Sequence, residues 1–188
     1  MEGKQMNLTE KRKSGKTIYE GNIIRLEKDV AVLPDGREAV REVVRHPGGV
    51  GVVAVDRDGL VCMVRQFRYP FMAETLEIPA GKLDGKGEDT FAAGKRELLE
   101  ETGLTANKME LLCKFYASPG FCDEQIALYL ATDLEQGVAN PDDDEFLMCE
   151  KFTFDRLMKM IEDGELKDGK TVLAILMAKE RLAKNGLL

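Results

Sequence analysis

Three glutamates cluster in the segment RELLEETG, residues 96–103, which otherwise has the pattern of an amphipathic helix. At about 100° per residue, Glu97, Glu100 and Glu101 fall within one arc of about 100°. Like charges at this spacing repel each other by roughly 0.2–0.5 kcal/mol per pair, and Arg96 is the only basic residue in the segment. The cluster therefore needs a positive partner, or one of its members must stay protonated.

A hard divalent cation is the simplest partner for such a cluster. Mg²⁺ takes oxygen ligands and keeps several waters, which leaves room for phosphate oxygens. A metal held in this way can polarise a phosphoryl group and lower the pKa of a bound water. On the helix alone, a solvated acidic face explains the same residues equally well, so the surrounding sequence has to decide.

Composition and charge exclude several classes of protein. The 188 residues are 44% hydrophobic, which suits one globular domain or a domain with a small appendage. The net charge of −7 argues against nucleic acid or an anionic membrane as the main partner. No apolar run approaches the roughly 18–20 residues of a transmembrane helix. The N-terminus lacks the apolar region of a secretory signal, so we expect a cytoplasmic protein.

Histidine and cysteine offer no obvious site for chemistry. His46 is the only histidine, which excludes a His-rich zinc site and leaves any Ser–His–Asp triad dependent on one residue. The cysteines lack CxxC spacing, so we interpret them as small buried hydrophobic residues in a reducing compartment; they are Cys62, Cys113, Cys122 and Cys149. Chemistry must therefore come from carboxylates, arginines and hydroxyls.

The elements that must position these residues begin with two hairpins. Residues 1–16 are polar and expected to fray at the start. Alternation of apolar and polar residues predicts a hairpin over 17–48, with its turn at LPDG, 33–36. A second hairpin over 49–70 turns at DRDG, 56–59. This second hairpin is rich in valine, so it should be central in its sheet.

The glutamate-bearing helix follows a short strand and a Gly-rich loop in residues 74–89. Asp89 or Thr90 can cap the start of this helix, and Gly103 stands where a C′ glycine would. The predicted apolar side of the helix lies roughly opposite the glutamates and comprises Phe91, Ala92, Leu98 and Leu99.

The rest of the chain adds strands and then helices. Two strands flank the loop ASPGFCDE, 117–124, and an acidic surface loop covers 135–145. A strand over 145–154 precedes two helices, over 155–166 and 167–186. A β-rich part, one helix, a β-rich part and two helices in this order predict an α+β fold rather than alternating βαβ units.

Residues 81–104, GKLDGKGEDTFAAGKRELLEETGL, resemble the Nudix box of the Nudix hydrolases. That pattern is a glycine, a spaced glutamate and then Arg-Glu-apolar-any-Glu-Glu-any-Gly-apolar, and the chain matches it in type and spacing from Glu88 to Leu104. Six residues, one more than in the pattern, separate Gly81 from Glu88. The extra residue lies in the LDGKG turn, where added length costs little, so we expect an altered loop tip and a retained activity.

This resemblance implies the Nudix fold, an α+β fold of mixed β-sheets sandwiched between helices, here with an N-terminal antiparallel β segment. It covers most of the chain, from about Ile18 to Leu182. It implies that residues 1–46 form the N-terminal β segment and that residues 47–188 form the Nudix hydrolase domain.

The resemblance also implies the ligands of a metal. Glu97, Glu100 and Glu101 would hold Mg²⁺, or Mn²⁺ in its place, with Glu97 and Glu101 as direct ligands and Glu100 beside them. The backbone carbonyl of Ala80, just before the first glycine of the box, would be a further ligand.

Other box residues and a later loop would support the reaction. Arg96 would orient the glutamates, and Glu88 would tie the loop to the helix. In ADP-ribose hydrolases the base for the attacking water is a glutamate on a loop after the box. The matching loop here is NPDDDEF, 140–146, in which Glu145 is the first choice and Asp144 the second; either residue would alternatively bind a metal.

Two features outside the box resemble the ADP-ribose pyrophosphatase branch of the family. They are EIPAGK, 77–82, and SPGFCDE, 118–124, whose Pro119 follows Gly103 by 16 residues. The implied reaction is Mg²⁺-dependent hydrolysis of the diphosphate bond of ADP-ribose to AMP and ribose 5-phosphate. The alternatives are another nucleoside diphosphate sugar or NADH as substrate, and, in a different class, a non-catalytic module that senses ADP-ribose.

Substrate contacts follow from the same branch. Arg68 and Arg65 would hold the diphosphate or stack on adenine, for which a guanidinium suits better than an ammonium. Their alternative is ordinary charge on a strand surface. Glu77 would bind a ribose hydroxyl, and either Tyr19 or Phe67 would stack on adenine.

A protein partner is expected as well. Small sheets need a packing partner for stability, and the N-terminal β segment is too thin to bury its own apolar face, which comprises Ile18, Ile23, Ile24, Val30, Val32 and Val43. The resemblance implies that this segment pairs with its counterpart in a homodimer. The expected partners are thus a small nucleoside diphosphate and a second copy of the chain, without nucleic acid or membrane.

Overall fold

The computed structural model describes residues 7–85, 87–140 and 146–186. These residues form two compact units, each with its own sheet. The first unit contains the described part of Met1–Pro47 together with Tyr116–Glu124, and the second contains the rest. The sequence placed a boundary between residues 46 and 47 but did not assign residues 116–124 to the N-terminal part.

The first unit is built on a three-stranded antiparallel sheet in the order β1-β2-β3. Its strands are β1 (Lys11–Glu20), β2 (Arg25–Val32) and β3 (Glu38–Arg45). The predicted turn joins β2 to β3, where Gly36 has a φ of +88°. β1 begins at Lys11, inside the stretch expected to be polar and frayed. Its residues are exposed throughout, so apolar alternation could not reveal it.

The segment of residues 116–124 belongs to this unit because it pairs with the end of β3. Val44 forms a parallel bridge with Cys122; its N–H donates to the carbonyl of Phe121 at 2.8 Å, and its carbonyl accepts from Asp123 at 3.0 Å. Arg45 donates to the Asp123 carboxylate at 3.2 Å. The loop that carries Pro119 is thereby held by β3.

The second unit contains a seven-stranded mixed sheet in the order β10-β5-β4-β9-β8, in which β6 pairs with β5 and β7 with β4. β4 and β9 run parallel, whereas β4 runs antiparallel to β5 and β7. Every residue of β4 is buried, which confirms that the valine-rich hairpin is central. The strands are β4 (Gly49–Val55), β5 (Leu60–Arg68), β6 (Ala73–Glu77), β7 (Ala80–Lys82), β8 (Leu104–Tyr116), β9 (Gln125–Gln136) and β10 (Met148–Thr153).

Helices cover both faces of this sheet. They are α1 (Thr90–Thr102), α2 (Phe154–Glu162) and α3 (Gly169–Lys184). Because side chains alternate along a strand, Val53 of β4 packs in one buried cluster with α2 and α3, while Val52 packs in another with α1. The α+β fold, with a mixed sheet between helices and an N-terminal antiparallel sheet, is confirmed.

The cysteines differ from the expectation at one position. Cys62 is buried, and Cys113 and Cys122 are partly buried, but Cys149 is exposed. Its strand, β10, lies at the end of the strand order, so the prediction that all four are buried is wrong for Cys149. In the described part of the chain, no helix has both the length and the apolar character needed to cross a bilayer.

Candidate functional site

The helix that carries the three glutamates has well-defined ends. The side chain of Asp89 accepts the N–H of Phe91 at 3.1 Å and caps the start of α1. Gly103 follows the last turn with a φ of +72°, and its N–H donates to the carbonyl of Leu99. Both signals were predicted, and of the two alternatives for the N-cap the structure selects Asp89 over Thr90.

The buried face of α1 is the face that carries carboxylates. Glu97 is 8% exposed and Glu101 is 4% exposed, whereas Phe91 and Leu99 are 38% and 36% exposed. The prediction that Phe91, Ala92 and Leu99 lie on the buried face is therefore wrong. Leu98 is the one member of the predicted apolar side that is buried. The reason is that small residues make the contact with the sheet: a Cβ added to Gly94 would lie 3.2 Å from the Val50 side chain.

Glu97 occupies space that a glycine leaves open. A Cβ added to Gly81 would lie 2.1 Å from the carboxylate carbon of Glu97, closer than any two such atoms can approach. Gly81 sits in β7, which pairs with β4. The first glycine of the box is thus required by the position of Glu97, the glutamate that follows Arg96.

Glu101 binds the residue before that glycine. The N–H of Ala80 donates to Oε2 of Glu101 at 2.9 Å. Hydrogen-bonded and non-hydrogen-bonded pairs alternate along an antiparallel ladder, and the N–H of Val52 donates to the carbonyl of Pro79. The next pair, Gly51 and Ala80, is therefore non-hydrogen-bonded, so the carbonyl of Ala80 faces away from β4 like its N–H.

Arg96 braces the carboxylates. Its Nη1 lies 2.9 Å from Oε1 of Glu97 and 2.9 Å from Oε2 of Glu100, and its Nη2 lies 3.8 Å from Glu88. Burial by itself would lower the pKa of Arg96, but the charge of Glu97 and the bond to Glu100 raise it. Glu88 also accepts the N–H of Asp84 at 2.6 Å, which ties the loop to the helix.

The donors that could hold a divalent cation are the carboxylates of Glu97 and Glu101 and the carbonyl of Ala80. Over the described ranges, no three His, Cys, Asp or Glu side chains come together as a metal site. Glu97 and Glu100 both bond to Arg96, and Glu100 is the more exposed of the two. This set of two carboxylates and one carbonyl suits Mg²⁺, which binds through few protein oxygens and keeps several waters. Gly81 leaves room for one of the carboxylates, that of Glu97. Glu100 as a ligand stays a prediction.

Two residues predicted to bind substrate are bonded to each other. Arg68 donates from Nε and Nη2 to the two oxygens of Glu77, both at 2.7 Å. Burial by itself would raise the pKa of Glu77, but the bond from Arg68 and the charge of Lys170 outweigh it and lower the pKa to about 2. Arg65 has its own partner, Glu150, at 2.6 Å. Their contacts with substrate stay predictions.

The remaining predicted site residues do not all belong to one unit. Pro119 belongs to the first unit. Tyr19 in that unit is 57% exposed, and Phe67 in the second is 54% exposed. Glu145 and Asp144, the predicted bases, lie outside the described residues.

Three residues near Glu77 were not predicted from the sequence. They are Thr75, Asp168 and Lys170, which bond to Glu77 directly or through one another. Asp168 and Lys170 were assigned only to the start of a helix. In the sequence KDGKT, 167–171, Asp168 is a typical helix-capping residue and Lys170 follows it. This pattern predicts the start of a helix but does not indicate that either residue contacts Glu77.

Comparison with known proteins covers most of the chain. The NUDIX domain family matches residues 45–174, and the nucleoside diphosphate sugar hydrolase N-terminal domain matches residues 10–44. A solved structure described as an ADP compounds hydrolase aligns with a TM-score of 0.86 over 99% of this chain and 100% of its own. At 22% identity, that likeness supports the fold alone.

Several curated relatives are more similar in sequence. The ADP-ribose pyrophosphatase of Bacillus subtilis is 42% identical over 94% of this chain and 97% of its own. A methanol dehydrogenase activator of Bacillus methanolicus is 42% identical over 84% of this chain and 86% of its own. The ADP-ribose pyrophosphatase of Mycobacterium tuberculosis is 41% identical over 65% of this chain and 59% of its own. With the box geometry and a domain match over more than half of its length, the chain belongs to the Nudix hydrolase family.

Proposed function

We propose that this protein hydrolyses the diphosphate bond of ADP-ribose to AMP and ribose 5-phosphate with a divalent cation, Mg²⁺ or Mn²⁺. The observation that carries the proposal is the pair of buried carboxylates, Glu97 and Glu101, held against Gly81 and Ala80. The choice of substrate is supported by the two relatives named ADP-ribose pyrophosphatase.

The chain's own residues would divide the work as follows. Glu97, Glu101 and the carbonyl of Ala80 would hold the cation, and Arg96 would keep the carboxylates in place. When bound, the cation would polarise the phosphoryl group and lower the pKa of the attacking water. Glu145, or Asp144 in its place, would accept a proton from that water, whose oxygen forms the new bond to phosphorus as the bridging oxygen leaves.

Substrate binding is proposed for Arg65 and Arg68. The diphosphate would compete for Arg65 with Glu150, a half-buried carboxylate at the strand surface. A guanidinium binds carboxylate and phosphate with the same forked geometry, so such an exchange keeps its hydrogen bonds satisfied. Pro119 is also proposed as a substrate-binding residue. Glu77, which is 1% exposed, is proposed to bind a ribose hydroxyl; its contacts within the protein are developed below.

We also propose a cytoplasmic homodimer formed through the first unit. Its sheet and connections expose apolar side chains in the single chain: Leu8, Ile18, Tyr19, Ile23 and Val40 are each more than half exposed. Exposed apolar area of this kind marks interaction surfaces. A second copy of the same sheet would cover it, and the four cysteines, which form no disulfides, suit a reducing compartment.

A substrate panel tests the proposed activity. Wild-type protein would be supplied with Mg²⁺ and, in parallel, with ADP-ribose, GDP-mannose and NADH, and the products would be separated by ion-exchange chromatography. We expect the highest kcat/KM for ADP-ribose, with AMP and ribose 5-phosphate in equal amounts. Much faster turnover of GDP-mannose would overturn the choice of substrate while leaving the reaction class intact.

The relative named methanol dehydrogenase activator favours a second candidate function, stimulation of a dehydrogenase by this hydrolase. Alcohol oxidation by methanol dehydrogenase would be followed with and without the protein. If stimulation depends on hydrolysis, Glu101→Gln should lose it together with the turnover of ADP-ribose. A rate that is unchanged by the wild-type protein would exclude this second function for the enzyme tested.

A further inference from the structure

A buried charge cluster joins the start of α3 to the end of β6. Glu77 is the last residue of β6, and its side chain is almost wholly buried. Three side chains donate to its carboxylate: Arg68, Thr75 and Lys170. Lys170 also donates to Asp168, the N-cap of α3, at 3.0 Å. Both oxygens of Glu77 are therefore engaged by donors from within this unit.

Thr171, the residue after Lys170, binds the backbone of Ile78, the residue after Glu77. Its side chain is fully buried, and its hydroxyl accepts the N–H of Ile78 at 3.0 Å. The same hydroxyl donates to the carboxylate of Asp168 at 2.5 Å. Two side chains in the first turn of α3 thus make these contacts: Lys170 binds the carboxylate of Glu77, and Thr171 binds the backbone N–H of Ile78.

The two residues held in this way lead directly into the candidate metal site. Two residues beyond Ile78, Ala80 donates its N–H to Glu101, and Gly81 then gives Glu97 its space. Successive Cα atoms are fixed at about 3.8 Å apart across trans peptides. A displacement of Ile78 would therefore be passed to the backbone groups that face the two carboxylates.

Fold stability alone is a weak explanation for this cluster. The desolvation of buried charges offsets much of their mutual attraction, and apolar residues of similar volume often stabilise a fold as well or better. Ion pairs and hydrogen bonds do, however, define position more narrowly than apolar contacts, because each has a preferred distance and direction.

We propose that Lys170 and Thr171 are positioning residues for the metal site. They fix the positions of Glu77 and Ile78. The N–H of Ala80 is thereby placed to donate to Glu101, and Gly81 is placed where it leaves room for the carboxylate of Glu97. Neither residue touches the substrate in this account. The proposal rests on the proposed metal-dependent function of the same site.

A matched pair of variants at Thr171 tests the proposal. Thr171→Val keeps the shape and removes the hydroxyl, whereas Thr171→Ser keeps the hydroxyl. Binding of Mn²⁺ alone would be measured by isothermal titration calorimetry, and kcat for ADP-ribose across a series of Mn²⁺ concentrations. We expect Thr171→Val to weaken Mn²⁺ binding roughly tenfold, the lower end of what loss of an outer-shell partner costs, and Thr171→Ser to restore it.

A second pair uses lysines of the same helix. Lys170→Gln removes the charge that faces Glu77, and Lys179→Gln removes an ammonium whose partner, Asp155, is at the surface. We expect Lys170→Gln to weaken Mn²⁺ binding as Thr171→Val does, and Lys179→Gln to bind like the wild type. Because Lys170→Gln leaves a buried carboxylate with one donor fewer, the Thr171 pair decides the question if that variant does not fold.

The outcomes separate this proposal from the proposed activity. Folded Thr171→Val protein with wild-type affinity for Mn²⁺ and a lower urea midpoint would overturn the positioning role and leave a structural one. Weakened Mn²⁺ binding supports the positioning role even if ADP-ribose is not the substrate, since the titration contains no substrate. Wild-type protein that binds no Mn²⁺ would overturn both proposals.

Discussion

The carboxylate of Glu97 lies so close to Gly81 that a methyl group added to this glycine would fall 2.1 Å from the carboxylate carbon. The neighbouring carboxylate, Glu101, accepts the N–H of Ala80. One short strand therefore receives two buried acids from the facing helix. The relationship explains why a glycine is needed at position 81: its hydrogen side chain leaves room for a charge beside the backbone.

Gly81→Ala should displace Glu97 and reduce kcat/KM for ADP-ribose by about 10–100-fold, the range seen when the support of a metal ligand is lost. The fold should survive, because the group that must move is the end of a flexible side chain. Gly85→Ala is the control, since a Cβ there meets nothing within 4 Å in the described part of the chain. Steady-state kinetics with Mg²⁺ and circular dichroism would measure both effects. Equal activity of the two variants would contradict the account.

Arg96→Lys should lower kcat at least about tenfold while keeping the positive charge. An ammonium is a point donor and does not reproduce the planar fork of a guanidinium, so it would not hold Glu97 and Glu100 together. The matched control is Arg156→Lys, at a surface pair with Glu165. Saturation kinetics would show the difference, and the bracing role fails if both variants turn over ADP-ribose at the wild-type rate.

Glu77 should make stability depend on pH in the acid range. Its pKa is about 2 in the folded chain against an ordinary value of 4.5, so the folded state releases this proton at lower pH than the unfolded state. The resulting stabilisation, about 3 kcal/mol, is present above about pH 4.5 and is lost as the pH falls toward 2.

The test for Glu77 compares the wild type with Glu77→Gln in urea at about pH 7 and about pH 3.5. The difference between their free energies of unfolding should be smaller at the lower pH, because only the wild type loses the stabilisation from ionised Glu77. Glu135→Gln, at an exposed position, is the control variant. A constant difference between Glu77→Gln and the wild type would show that the carboxylate of Glu77 is not stabilised by its cationic neighbours.

Ile18→Glu should disrupt the proposed homodimer. Ile18 lies on β1 with 51% of its surface exposed in the single chain, and a charge there would have to be buried if a second sheet covers it. Size-exclusion chromatography with light scattering should give a dimer for the wild type and for the exposed-site control Lys28→Glu, and a monomer for Ile18→Glu. A monomeric wild type would refute the dimer.

The part of the site on α1 could be predicted because its signals are local. An N-cap aspartate, a C′ glycine and fixed spacing of the glutamates all lie within one helix and its ends. The additional residue between Gly81 and Glu88 falls in the turn before the helix and leaves its register unchanged. Apolar periodicity could not predict which face of α1 is buried. Small residues such as Gly94, and not large apolar ones, make the close contact with the sheet.

The cluster around Glu77 could not be predicted, because its members meet only in the tertiary structure. Arg68 is 9 residues from Glu77 in sequence, and Lys170 is 93 residues away. Periodicity and motifs describe contacts within an element or its loops, whereas this contact depends on how α3 packs against the sheet. For this reason the sequence indicated Arg68 and Glu77 separately as substrate ligands and did not indicate the bond between them.

Hydrolysis of ADP-ribose by wild-type protein and by Glu101→Gln, measured side by side over one series of Mg²⁺ concentrations, shows whether the buried carboxylates of α1 hold the catalytic metal. The glutamine keeps an oxygen that can accept the N–H of Ala80 but removes the charge that a metal requires. We predict AMP and ribose 5-phosphate from the wild type and at least about 100-fold slower turnover by the variant, with an unchanged unfolding midpoint. Near wild-type turnover by Glu101→Gln, or no turnover of ADP-ribose by the wild type, would contradict the account.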